Sequence, residues 1–327
     1  MRKIFPVFLL IALSFLPNPA RAQDEGANAL DFLPPDHFKA GWVASGNEIF
    51  TDLAGAAFLL KNDIPLLKEF KLKWFATETY TDYEGGITIE IYQFPSASDA
   101  FGYYALSPIP HIKPSISPDI VVKPYDLPPP ADVDSLRLIS NEFIEGFKDK
   151  FYIRIKAENE DTRADLMDIA TYVLGSLPGM AVKADIVSVL PKDGLVMGTE
   201  RYIKGPVGLN LLLSDLSIGE DPFGFDSYSP EAAAGEYRLG GGEYFLLVVF
   251  KYKDSDSCTA VANALQGFFS DMDWQTLIVP PMKSGYHPRA FSKESVSAFW
   301  PAGNNLWFCY DLSNAEKLTL ALELFDK

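Results

Sequence analysis

Two glutamates sit in matching local contexts, Gly46-Asn47-Glu48-Ile49-Phe50 and Gly198-Thr199-Glu200-Arg201-Tyr202. If folding brought Glu48 and Glu200 together across a cleft, the pair could work as acid and base, or acid and nucleophile, on a glycosidic bond. Each alone, near a helix start, would instead accept local backbone N–H groups. Other chemistry-bearing residues are sparse. His37, His111 and His287 lie far apart in loop-like sequence, and no HxxH, HExxH or CxxC spacing occurs, so no metal is expected. Asp254-Ser255-Asp256-Ser257 opens like a calcium loop but lacks the Gly at position six and the Glu at twelve, and reads as a helix cap. GxSxG and dinucleotide fingerprints are absent, and Gly240-Gly241-Gly242 precedes a strand as turn material, so no cofactor is expected.

Aromatic side chains supply the remaining candidates. Phe101, Tyr103 and Tyr104 cluster with Tyr92 and Phe94, and Trp300, Trp307, Phe308 and Tyr310 cluster late in the chain. Such groups bind sugars, peptides or lipid when exposed and form core when buried. Two cysteines, Cys258 and Cys309, fall at a predicted helix start and in a predicted late strand. An oxidising compartment would permit a bridge between them, and two buried free thiols are the other outcome.

The elements that must position these residues centre on Gly85 to Tyr104. Ile87, Ile89 and Ile91 alternate with period 2, as a half-buried strand requires. Ser96 or Ser98 then caps a helix opening at Asp99. The design recurs at Gly242 to Leu265. Around it the spacing predicts a helix from Gly46 through Leu60, a hairpin whose strands are residues 71–81 and 87–94, and a strand pair at 136–143 and 150–157. A helix is predicted over 161–177, stopped by Pro178-Gly179, with Leu166, Ile169 and Val173 on one stripe. The helix–hairpin–helix–hairpin–helix order repeats. Glu200 falls on Glu48, Phe245 on Ile87, and Phe308 and Tyr310 on Ile153 and Ile155, at offsets between 152 and 158. The expectation is α+β: two similar units of antiparallel strands with helices packed on one face, related by internal duplication. The first unit spans 46–180 after a lead-in at 23–45. The second spans 181–327. A proline-dense insertion at 107–130 serves as a surface connector or a partner-binding arm.

The N-terminus reads as an export signal. Arg2-Lys3 precede an apolar run from Ile4 to Leu16, too short to cross a bilayer, and Ala20-Arg21-Ala22 fits a cleavage site. No later run reaches membrane-span length, so the chain is expected to be exported, periplasmic or extracellular, after cleavage near Ala22. With 28 basic against 44 acidic residues the formal charge is −16. That surface repels phosphate backbones, so nucleic acid is not an expected partner.

The Gly55-Ala56 step, the Ile87–Ile91 strand, Asp99-Ala100-Phe101-Gly102 and Leu177-Pro178-Gly179 together resemble an uncharacterised family of exported bacterial proteins, known as a domain of unknown function. The resemblance spans most of the mature chain. It implies an exported α+β protein and no particular activity. On the residues themselves, the expected function is a non-catalytic module binding a small molecule, a glycan or a protein. The crease between the units is the expected ligand site, and Glu48, Glu200, Phe101, Tyr103 and Tyr104 are the candidate contacts. The alternative is an envelope hydrolase using carboxylates in that crease.

Overall fold

The structure, a computed structural model, describes residues 29–82, 85–107, 136–140, 143–158, 163–216, 221–240 and 242–325. The expected signal peptide and all but the first residue of the proline-dense run lie outside the described residues.

Two antiparallel sheets carry an α+β fold. The first holds β1 (Val43–Phe50), β2 (Trp74–Thr81), β3 (Gly86–Gln93), β4 (Leu136–Ser140), β5 (Phe143–Lys148) and β6 (Phe151–Ala157), in spatial order 1-2-3-6-5-4. The second holds β7 (Arg201–Ile203), β8 (Glu231–Arg238), β9 (Tyr244–Lys251), β10 (Gln275–Leu277), β11 (Arg289–Ser292), β12 (Val296–Ala302) and β13 (Asn305–Leu312), in order 7-8-9-13-12-11-10. The strand order is thus the same in both, with β10 as an added edge. The helices are α1 (Leu53–Ala56), α2 (Ile64–Glu69), α3 (Ala97–Leu106), α4 (Arg163–Ser176), α5 (Pro206–Leu212), α6 (Phe225–Tyr228), α7 (Ser255–Asp271) and α8 (Ala315–Phe325). None among the described residues is long and apolar enough to cross a membrane.

The strand–cap–helix corner forms twice. After β3, the Ser96 hydroxyl accepts from the Asp99 N–H at 3.1 Å and opens α3. After β9, the Asp254 carboxylate accepts from the Ser257 N–H at 2.7 Å and opens α7, so the Asp254 run is a cap. One detail departs from the expected layering. Within each sheet the two long helices lie on opposite faces. Ile87, Ile89, Ile91, Ile153 and Ile155 form one core with Leu166, Ile169 and Val173 of α4. The intervening Tyr92 and Tyr152 belong to another core with Tyr103 of α3. In the second sheet, Phe269 of α7 packs against Phe299 and Phe308, whereas Phe325 of α8 packs against Trp300 and Trp307. Covering both faces of a sheet explains how strands rich in apolar residues at both parities stay folded.

Three sequence expectations need correction. Gly46 to Phe50 is strand β1, an edge strand with a bulge between Ala44 and Gly46, and only the four residues of α1 are helical before Ala57. Its residues are mostly exposed, so no alternation marked it as a strand. Residues 136–140, 143–148 and 151–157 form three strands instead of the expected pair, and the β5–β6 turn sits at Asp149-Lys150, at the very end of the Gly146-Phe147-Lys148-Asp149 stretch around which that pair was expected to turn. Phe308 is not the counterpart of Ile153. Phe308 opposes Val248 and faces α7, whereas Ile153 opposes Ile91 and faces α4. A one-residue slip exchanges faces.

Cys258 on α7 and Cys309 on β13 are free and buried, which is the second of the two outcomes. Burial pushes the Cys258 thiol up to about 11 and raises Cys309 as well. Both are therefore poor nucleophiles near neutral pH. A thiol reagent should label neither in the folded protein and both in denaturant without reductant. Loss of labelling that only a reductant restores would reveal a bridge.

Candidate functional site

Cross-strand register arranges the α3 face of the first sheet into rows. One row is aromatic: Phe50, Phe75, Tyr92, Tyr152 and Phe147 oppose one another in turn from β1 to β5. Helix α3 covers it. Tyr103 lies 5.7 Å from Tyr92 and 4.9 Å from Tyr152, and Phe101 and Tyr104 lie 5.4 Å and 4.9 Å from Phe147. The adjoining row is charged. Glu48, Thr77, Glu90, Arg154 and Glu145 stand in register across five strands, and Arg137 occupies the same row on β4.

Arg154 is the hub of this row. Its Nη1 reaches the Asp63 carboxylate at 3.2 Å and lies 3.6 Å from Glu90. Nη1 also donates to the Tyr92 hydroxyl at 3.4 Å, Nε to Tyr152 at 3.3 Å, and Nη2 to Ser107 at 3.2 Å. The tyrosines pass the charge on. Tyr92 donates to Glu90 at 2.8 Å and Tyr152 to Glu145 at 2.7 Å. Asp63 stands at the N-cap of α2 but makes no side-chain cap bond there; its carboxylate is turned to Arg154 instead. Ser107 is the residue that ends α3.

Desolvation raises the pKa of Glu90, and the Asp63 charge adds to the rise, against the pull of Arg154. Desolvation likewise raises Tyr92, Tyr103 and Tyr152. It works against the Arg154 charge too, yet Tyr152, Tyr92, Tyr103 and Glu90 outweigh it and push the guanidinium pKa up. The tyrosines are fully buried, but the charged groups are reached by water: Arg154, Glu90 and Asp63 keep 17%, 25% and 13% of their side chains accessible. Desolvated groups that still touch solvent mark a partly accessible place at the edge of the core, the Arg154 recess, rather than a sealed interior. The Tyr103 hydroxyl is buried without a hydrogen-bond partner, and the Arg154, Asp63, Tyr152 and Glu90 side chains act on it electrostatically.

The second sheet shows what this place looks like without chemistry. Ser96 and Asp254 cap α3 and α7 at the same distance past their strands. With those corners superposed, Glu90 matches Val248. The register then gives Arg201, Ala234, Val248, Phe308, Phe299 and Arg289 as the matching row. Its middle is wholly apolar. It is covered by α7, which runs 17 residues to the 10 of α3, and Phe269 from the added turns lies 6.1 Å from Phe308 and 6.2 Å from Phe299. In the first sheet α3 stops short of that position.

The sequence-derived candidates fare differently. Glu48 is exposed at the outer end of the charged row, on edge strand β1. Glu200 precedes β7 in the other sheet; its carboxylate accepts from the Gly198 N–H at 2.9 Å and pairs with Lys183 at 2.9 Å. Burial opposes that charge, but the Lys183 partner and the backbone donors lower the Glu200 pKa. No contact joins the two glutamates among the described residues, and the register counterpart of Glu48 is Arg201. Phe101 and Tyr103 are buried and Tyr104 half-buried, so these three are core rather than an open aromatic surface. The expected crease is filled: Phe70 meets Tyr202 at 6.2 Å, Lys204 pairs with Asp99, and Glu69 accepts from the Val207 and Gly208 N–H groups at 2.8 and 3.0 Å. A depression of about 470 Å³ beside Leu195 and Tyr244 brings only Arg238 as a charged group, and it lies away from the Arg154 network. Arg154, Glu90, Glu145 and Asp63 went unnoticed in sequence because they occupy polar slots of strands or a loop. The one available signal was Arg154 set between Ile153 and Ile155 opposite an equally interrupted strand.

Compared with family models, curated proteins and solved structures, the chain finds no match.

Proposed function

We propose that this chain is an exported module that binds a small ligand in the Arg154 recess. The observation that carries the reading is the contrast between the two sheets. The same row of the same strand arrangement is apolar in one and charged in the other, so the fold does not require charge there. Apolar replacement of a buried ion network is commonly neutral or stabilising. A network kept where packing alone would serve is therefore read as specialised for recognition. Its groups are held on paired strands, which fixes them before a ligand arrives and lowers the ordering cost of binding. The units themselves are proposed to descend from one ancestral unit, with the resemblance to an exported bacterial family as a companion expectation.

Two measurements test this. Expressed in a bacterial host with its N-terminus intact, the protein should be recovered outside the cytoplasm with a mass beginning at Gln23; an uncleaved cytoplasmic chain would remove export. A thermal-shift panel of small metabolites and sugars should contain a compound that raises the melting midpoint, since a ligand at a hundred times its Kd adds about 2.7 kcal/mol. The shift should vanish in Arg154→Met. A ligand that stabilises wild type and variant equally binds elsewhere and removes the recess as the site.

A further inference from the structure

The free acceptors of the recess point to a class of ligand. Asp63 and Glu90 both lean on one nitrogen of Arg154, at 3.2 and 3.6 Å. A single guanidinium thus serves two carboxylates, and the pair carries an excess of negative charge. Each engages Arg154 or Tyr92 through one oxygen, Oδ2 of Asp63 and Oε2 of Glu90, and the second oxygen of each is left without a hydrogen bond among the described residues. The Tyr103 hydroxyl is the third unpaired atom, and it is fully buried with its ring held between Tyr92, Phe94 and Tyr152. An anion would have to face both carboxylates with Arg154 already engaged. Asp63 and Glu90 have no third carboxylate, His or Cys with them that would complete a group able to hold a metal ion among the described residues. An ammonium group carries one positive charge and three donors, which matches one excess negative charge and three open acceptors. Lys156, whose charge also acts on Glu90, is exposed at the rim.

We infer that the recess binds the ammonium end of a small primary amine, with Glu90, Asp63 and the Tyr103 hydroxyl as its acceptors. This rests on the reading of the recess as a binding site and names what enters it. The ammonium offsets the repulsion between Asp63 and Glu90, and its N–H groups complete the acceptors that the protein leaves open.

Calorimetric titration of the mature protein with methylammonium chloride tests the class. Tetramethylammonium, which has the charge but no N–H donors, and sodium chloride at equal ionic strength are the controls. Acetate and glucose form the parallel arms. Methylammonium is expected to bind at least tenfold more tightly than tetramethylammonium. Tyr103→Phe should weaken it about tenfold, the worth of one hydrogen bond, and Glu90→Gln should weaken it more. Tyr103→Phe deletes only an unpaired hydroxyl and leaves the ring packing intact, so it keeps the test decisive even if Glu90→Gln fails to fold. Equal binding of the two ammonium ions, or methylammonium binding indifferent to Tyr103→Phe, overturns the amine. If acetate or glucose binds instead and loses affinity in Tyr103→Phe, the amine falls while the binding site stands. If every probe fails, the amine falls, and the broader panel with Arg154→Met decides the site separately.

Discussion

Arg154→Met is expected to destabilise the protein by about 3 kcal/mol, toward the low end of the range for breaking a buried ion pair. Methionine fills much of the same volume beside Tyr92 and Tyr152, so the loss is one of charge and donors rather than of packing. What remains is Asp63 and Glu90 facing each other without their common cation, and Tyr92, Tyr152 and Ser107 each short of a donor. The low end applies because Glu90 keeps a quarter of its side chain in contact with water, which screens part of the penalty. Urea denaturation should show a lower midpoint with an unchanged slope. Adding Glu90→Gln to Arg154→Met should recover more than 1 kcal/mol relative to the sum of the single effects, because the two sites share one interaction.

The loss should also depend on pH, with a defined sign. Glu90 already has a raised pKa in the folded protein. A carboxyl raised on folding binds more protons folded than unfolded, so its contribution to stability falls as pH rises from the unfolded pKa to above the folded one. Removing the guanidinium takes away an influence that lowers the Glu90 pKa and so raises it further. The deficit of Arg154→Met should therefore be smallest below the unfolded pKa of Glu, near pH 4, and should widen toward neutrality. A deficit that is constant between pH 4 and 8 would mean that packing, not charge, is what Arg154 contributes.

Much of the scaffold was legible because its determinants are local. Ile87, Ile89 and Ile91 announce a strand, and Ser96 and Asp254 announce helix starts, which both side chains cap. The charged row was not legible, for a physical reason. Alternation says which residues share a face but not what covers that face. Glu90 and Arg154 fill the slots that a half-exposed strand gives to solvent. They become a network only when β3 and β6 pair in one register, when α3 covers the neighbouring row, and when Asp63 arrives from a loop. A slip of one residue, the error made at Phe308, is enough to hide such a row. The reading of Glu48 and Glu200 as a pair failed similarly. It rested on a short echo, while the register puts Arg201 opposite Ala234 in the place of Glu48 opposite Thr77.

Gly102→Ala should be destabilising by about 1–3 kcal/mol, although alanine is the better helix former by up to about 1 kcal/mol. A methyl group at Gly102 would sit 2.4 Å from Phe70 and 2.7 Å from Tyr202. Phe70 follows α2 in the first unit and Tyr202 is on β7 of the second, and both rings are buried. Neither can rotate away without opening the contact between α3 and β7. The substitution therefore tests whether Phe101-Gly102-Tyr103-Tyr104 joins the two units. Gly267→Ala is the control. Gly267 lies on the exposed side of α7 with nothing within 4 Å of an added methyl, so there the helix preference acts alone and about 0.5–1 kcal/mol of stabilisation is expected. Opposite signs at two helical glycines would separate close approach from propensity. If Gly102→Ala matched Gly267→Ala, the α3–β7 contact would be loose and the units free to move apart. If Gly102→Ala instead produced two unfolding transitions where wild type shows one, α3 would be the element that makes the units unfold together. That result would explain why the stretch opening the first unit's function-like aromatic cluster has no open face: its tyrosines hold the recess floor from behind, and its glycine lets the second unit close over the helix that carries them.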